Sequence, residues 1–149
     1  MIRMRSELLG VDAAQRALDE LARRMGDLSP VWRDILADWK SSQKQVFSSE
    51  GASIGAHWAP LSPRYAEWKA RHYGNQMLVR SGSLRAAAEG HGSGFFEKIA
   101  PLALNFKITE PTAQFHHETR PITRFGEIEQ RRWFRILQAY ADRVAAAVR

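Results

Sequence analysis

The chain contains no cysteine, which excludes disulfides, thiolate zinc sites and cysteine nucleophiles and suits folding in a reducing cytoplasm. It also lacks long apolar runs. Met1 to Gly10 sets Arg3 and Arg5 ahead of a lone Leu8-Leu9 pair, whereas a signal peptide needs roughly 7–15 apolar residues there. No window approaches the ~18 apolar residues of a membrane span, so no membrane partner is expected. Runs of like charge are short, although the formal net charge is +6 and the sequence pI about 10.2. Such a balance admits nucleic acid, an anionic surface or an acidic protein as partner. A solvated, arginine-rich surface is the plainer reading.

Catalytic signatures are missing too. There is no Gly-x-Ser-x-Gly elbow, and the serines fall in Ser-Ser pairs, helix starts and glycine-flanked turns. Gly90-His91-Gly92-Ser93-Gly94 is not followed by the Gly-Lys-Ser/Thr of a phosphate-binding loop, so it reads as a connection between elements. His116, His117 and Glu118 lack the HExxH spacing, and adjacent histidines on a strand would point to opposite faces. Neither enzyme activity, nor a metal, nor a cofactor is expected.

What is present points to one α+β domain over residues 1–149, the length of the chain. Val11, Ala14, Leu18, Leu21, Ala22 and Met25 recur at helical spacing, and Gly26 ends that helix. Ser29-Pro30 then supplies a cap and a first-turn proline. The stripe Trp32, Ile35, Leu36, Trp39, Gln43, Val46 and Phe47 follows, through about Glu50. Gly51 to Pro60 is a loop. Ser62-Pro63 starts a shorter helix through about His72, and Ser83 to Glu89 forms a brief one. Phe95 to Ile99 and Leu102 to Ile108 read as strands, with Leu104, Phe106 and Ile108 alternating with Asn105 and Lys107. Gln114 to His117 reads as a further strand bounded by Pro111 and Pro121. A last helix from about Glu127 carries Trp133, Ile136, Leu137, Tyr140, Val144 and Val148 on one side. The expected architecture is N-terminal helices, a small, mainly antiparallel sheet and a C-terminal helix.

Arg124, Arg131, Arg132 and Arg135 cluster with Phe125, Trp133 and Phe134. Arginines attract phosphates and aromatic rings stack on bases, so a basic nucleic-acid-binding module is one reading. The same mixture is typical of protein interfaces, which makes Arg124, Arg131, Arg132, Trp133 and Arg135 candidate interface residues.

A compound pattern decides between these readings. Trp58-Ala59-Pro60-Leu61-Ser62-Pro63-Arg64-Tyr65 is followed by Lys69 and then by Leu78-Val79-Arg80-Ser81-Gly82-Ser83-Leu84-Arg85. This resembles the phage virion morphogenesis (tail completion) family of long-tailed and Mu-like phages. There, a W-x-P-L-S-P segment leads into a short helix with a lysine, and an L-x-x-S/T-G-x-L-R segment follows. Phe115-His116-His117-Glu118 matches the family's hydrophobic-His-Q/E element. In place of its P-x-R-x-F segment the chain carries Arg120-Pro121-Ile122 and Arg131-Arg132-Trp133-Phe134. The motif positions are therefore Trp58, Pro60, Leu61, Ser62, Pro63, Tyr65, Lys69, Arg80, Ser81, Gly82, Leu84, Arg85 and His116.

The physics of the pattern suits a structural role. Trp58 and Leu61 flank Pro60 on a stiff turn with little entropy left to lose. Gly82 is available for a positive φ before Leu84 returns to the core. The resemblance implies a structural subunit that completes the tail and joins it to the head, as a tail completion, tail terminator or neck protein. Its implied partners are its own copies in a six-fold ring, neighbouring tail-tube, connector or head-closure proteins, and packaged DNA. Its implied location is the virion, after assembly in the host bacterial cytoplasm. The Gly51–Pro60 loop, the Gly90–Gly94 loop and the C-terminal helix would supply intersubunit contacts.

Overall fold

Helical periodicity in the first third of the chain is realised in two helices, α1 (Val11–Met25) and α2 (Ser29–Ser48). The structure is a computed structural model describing residues 11–116, 118–123 and 125–148. Gly26 follows α1, its N–H bonded to the Ala22 carbonyl at 2.9 Å. Pro30 falls in the first turn of α2, but the cap differs from the expected Ser29. Leu28 is the cap residue, and the Asp27 carboxylate accepts the Ser29 N–H at 3.0 Å. An upstream carboxylate thus satisfies an N–H that the helix itself leaves open.

Along α2, Val31, Ile35, Leu36, Trp39, Gln43, Val46 and Phe47 are buried. Their spacing places them on one side, which forms most of the core. Trp32, expected on that stripe, is half-buried at its edge, where its indole N–H donates to the Pro101 carbonyl at 3.3 Å. Helix α1 is less covered than its periodicity suggests. Leu18 is 60% exposed and Ala22 is exposed as well, because α1 packs chiefly along a single seam against the last helix.

The core side of α2 receives a hairpin. Strands β1 (Phe95–Ala100) and β2 (Ala103–Ile108) pair antiparallel, with Phe95 opposite Ile108 and Ala100 opposite Ala103. Leu104, Phe106 and Ile108 turn inward while Asn105 and Lys107 face solvent, as their alternation requires. Trp39 packs against Phe95 and Phe106, at ring-centroid distances of 5.5 and 4.7 Å. Lys40 pairs with Glu97 at 2.8 Å, and the Leu28 N–H bonds the Pro101 carbonyl at 2.8 Å. Both ends of the hairpin are therefore tied to α2.

Two short helices, α3 (Pro63–Tyr73) and α4 (Ser83–Ala88), separate α2 from the hairpin. Beyond it, the stretch expected as a third strand, Gln114 to His117, is not one. A single helical turn, α5 (Ala113–His116), stands there instead, and His117 lies outside the described residues. Local bonds account for the difference. The N–H of Ala113 reaches the Glu110 carbonyl at 3.0 Å and that of Phe115 reaches Thr112 at 3.3 Å. The backbone is satisfied without a strand partner.

The last helix, α6 (Glu127–Ala147), is capped by the Glu129 carboxylate, which accepts the Gly126 N–H at 2.8 Å. Its expected stripe faces α1 and α2: Val144 is buried, and Trp133, Ile136, Leu137 and Tyr140 are half-buried. The Tyr140 hydroxyl donates at 3.1–3.2 Å to the carbonyls of Arg24 and Asp27, closing the α1–α2 turn against α6.

Trp58 joins these parts. It is 4% exposed and meets Phe47 edge-on at 5.2 Å, in a cluster with Val46, Leu84, Ala88 and Ile122. Its indole N–H donates to the Pro121 carbonyl at 2.7 Å. The ring fits because Gly51, at φ +84°, has no side chain: a Cβ there would lie 2.1 Å from the Ala56 carbonyl oxygen and 2.6 Å from the indole Cδ1. Trp58→Ala is expected to cost about 3–5 kcal/mol in urea unfolding. Trp58→Phe, which keeps the ring but leaves the Pro121 carbonyl without its donor, should cost about 1–3 kcal/mol.

Candidate functional site

The motif segment encloses a recess. From Trp58 the chain turns through Pro60, exposed Ser62 and Pro63 into α3. Proline at the first helical position sets where α3 begins, although the Ser62 hydroxyl makes no capping bond. After α3, Leu78 takes a positive φ of 57°, and Gly82, at φ +86°, starts α4. The serine–glycine turn expected at Ser81-Gly82 is thus the αL position that glycine tolerates best.

Lys69 sits on α3 with 3% exposure. Its ammonium donates to the carbonyls of Gly74 at 3.0 Å and Gln76 at 2.6 Å, closing the turn that follows its own helix. Arg85, on α4, grips the same turn from the other side: Nη1 reaches Gln76 Oε1 at 3.1 Å, and Nε pairs with Glu89 at 2.7 Å. Leu84 is buried in the core. Arg80 lies over the Tyr73 ring at 5.0 Å and donates to its hydroxyl at 3.3 Å.

The far wall comes from residues more than fifty positions downstream. Arg120 donates from Nε to the Ala59 carbonyl at 2.9 Å and from Nη2 to that of Pro60 at 3.3 Å. With the Trp58–Pro121 bond, this clamps the proline corner to the segment leading toward α6. His116, Glu110 and Thr112 complete the wall, and the whole encloses about 780 Å³. His116 is held below its ordinary pKa of 6.5, first by burial and then by the Arg120 charge.

Leu61, Ser62, Tyr65, Lys69, Arg80, Ser81, Gly82, Leu84 and His116 all line this recess. Trp58 supports it from the core, Pro60 through its carbonyl, and Arg85 by fixing Gln76. Four rings continue from its edge along α3. Tyr65 stacks on Trp68 at 5.7 Å, and Trp68 meets His72 at 4.9 Å and Tyr73 at 5.6 Å. Tyr65, Trp68 and Tyr73 are each 41–42% exposed, a large aromatic area facing solvent. Trp68, His72, Tyr73 and Arg120 were not singled out by the sequence reading. The spacing of Tyr65, Trp68 and His72 at i, i+3 and i+7 signals one helix face, whereas nothing local marks Arg120 as a neighbour of Pro60.

The C-terminal arginine cluster divides. Arg132 Nε donates to Asp38 Oδ2 at 2.9 Å and its Nη2 to Ser42 Oγ at 2.7 Å, and Trp133 Nε1 reaches the same Asp38 oxygen at 2.9 Å. These two residues tie α6 to α2. Arg131 is 75% exposed beside Glu127 at 3.2 Å. Arg135 shares an open surface hollow with Arg131 and Phe134. Arg124 lies outside the described residues. Among the described residues no group of three or more histidines and carboxylates is arranged to hold a metal ion, and no helix is long and apolar enough to cross a membrane.

Two substitutions test this construction. Lys69→Met should cost about 1–3 kcal/mol by thermal or urea unfolding, since two carbonyls lose a charged donor. For His116, the unfolded chain binds more protons between the depressed folded pKa and 6.5. Its contribution to stability is complete above 6.5 and is lost as pH falls through that window. His116→Gln should flatten this acid-side loss in unfolding curves, and the His116 imidazole should titrate below 6.5 by NMR.

Comparison with known proteins now bears on these observations. A model of the phage virion morphogenesis family matches residues 9–93, which takes in α1 to α4 and the motif walls of the recess. No curated protein and no solved structure matches the chain. With more than half of its length matched, the chain belongs to the phage virion morphogenesis family and is a structural component of the phage virion.

Proposed function

We propose that this protein completes the phage tail and joins it to the head, acting as a six-fold ring of its own copies that meets tail-tube, connector or head-closure proteins. One observation carries the reading. The family's motif segment builds a rigid corner and leaves Tyr65, Trp68 and Tyr73 stacked but about two-fifths exposed beside the recess. Exposed aromatics with arginine at their edge are the residue types that dominate protein interfaces, and a ring requires two such faces per subunit. The second face is on α6, where Ile128 is 72% and Phe134 63% exposed next to Arg131 and Arg135. The Gly51–Pro60 and Gly90–Gly94 loops would flank these contacts. Assembly takes place in the host cytoplasm, and packaged DNA passes close by.

A nucleic-acid module built on the α6 arginines has less support. Arg131 is paired with Glu127 and Arg132 with Asp38, so much of that charge already has a partner within the protein.

The proposal is tested in the phage. Purified virions should contain the protein by mass spectrometry, negative-stain images of the purified protein should show rings, and deletion of its gene should leave heads and tails unjoined. Trp68→Ala with Tyr73→Ala should shift unfolding by no more than about 0.5 kcal/mol, as surface changes do, yet lower the infectious titre at least tenfold. Normal tails and full infectivity in the deletion would defeat the reading.

A further inference from the structure

The recess has an unusual charge balance. Lys69, Arg80 and Arg120 line it together with one carboxylate, Glu110. Among the described residues none of the three cations has a carboxylate partner. Lys69 and Arg120 are held by backbone carbonyls, and Arg80 by the Tyr73 ring and hydroxyl. Such partners orient a cation without neutralising it. Lys69 is the telling member, an ammonium 3% exposed with two of its three N–H groups committed. A buried charge without a counter-ion is costly to keep, and here it borders an open cavity. The remaining lining is mixed. Leu61, Leu78 and Leu84 give apolar walls, and Ser62, Ser81 and Ser83 give hydroxyls.

We propose that this recess binds an acidic segment of a different protein, seating a carboxylate against Lys69, Arg80 and Arg120 and an apolar neighbour against the leucine wall and Tyr65. The inference rests on the reading of the protein as a joining subunit and names the chemistry of one partner. A volume of about 780 Å³ falls within the ~300–1,000 Å³ of pockets that enclose a group of small-molecule size, which suits a few side chains and is too small for a duplex. A single strand of nucleic acid fits less well, because Glu110 on the same wall repels a run of phosphates. The chain's net charge of +6 favours an acidic protein over a second copy of itself.

Fluorescence anisotropy on the full chain tests this, with labelled short peptides that alternate glutamate with leucine or phenylalanine. Their counterparts carrying glutamine for glutamate, and oligothymidylate, are measured alongside. The acidic peptides should bind at least tenfold more tightly than the glutamine peptides, with an advantage that shrinks as salt rises. Arg80→Glu, at an exposed position outside the core, should abolish that advantage, and Arg135→Glu on α6 should leave it intact. Equal binding of the two peptide sets would overturn the proposal, as would an advantage that survives Arg80→Glu. Tighter, Arg80-dependent binding of oligothymidylate would replace the peptide with a nucleic acid. Self-association in sedimentation that Arg80→Glu disrupts would replace it with a second copy. Absence of the protein from virions would end the joining role while leaving the peptide measurement standing, so the two failures are distinct.

Discussion

The rest of the structure depends on how Trp58 is seated. Burying an indole removes roughly 150–250 Å² from water, worth about 4–6 kcal/mol at ~25 cal/mol per Å². That is a large share of the ~5–15 kcal/mol of net stability a domain has. The same side chain also sets geometry. Its ring lies over Gly51 at the end of α2 and against Phe47, and its N–H holds Pro121. The end of a long helix, the proline corner and the segment leading to α6 therefore meet at one residue. Arg120 repeats the connection from the other side through the carbonyls of Ala59 and Pro60. A two-stranded sheet rarely holds a fold by itself, so this junction and the α2–α6 packing carry the tertiary order.

Arginine does different work at the two ends of the molecule, and the identity of its partners decides which. On α6, Arg132 meets a carboxylate shared with the Trp133 indole, so its charge is spent inside the protein and its geometry joins two helices. Around the recess, cations meet carbonyls, a hydroxyl and a ring. Neutral acceptors leave the field outside almost unchanged while restricting where the charge sits. The first arrangement builds the subunit and the second leaves it with an outward demand. Exposed pairs such as Arg131–Glu127 contribute little either way, since water and salt screen them.

Much of this was legible in the residues. Periodicity located α2 and α6 and most of their buried faces, proline placed the starts of α2 and α3, and alternation oriented β2. The motif positions named from the sequence do converge on one recess. Failures arose where a contact is distant or a cap is shared. The Gln114–His117 stretch has strand-like spacing, but pattern alone cannot reveal that Glu110 and Thr112 supply its backbone partners locally. Arg132 and Trp133 look like interface residues until Asp38, ninety-four and ninety-five positions upstream, is seen to claim both. Trp68 and Tyr73 carried a readable signal in their helical spacing, but an aromatic stripe is more often core, and only the fold shows that this face of α3 meets no other element.

That exposed face makes rigidity functional. A side chain that must be ordered on association costs about 0.5–1.5 kcal/mol, and a flexible surface would lose that amount at each contact. Along α3 the cost is already met in the free subunit. Trp68 is stacked by Tyr65 on one side and His72 on the other, Arg80 rests on Tyr73, and Lys69 locks the turn beyond the helix. Pro63 fixes one end of α3, and the positive-φ positions at Leu78 and Gly82 fix the path away from the other. A subunit that repeats around a ring multiplies any such saving by the number of its contacts. The same stiffness makes the angle between neighbours reproducible, and closure of a ring depends on that angle more than on the strength of any one contact.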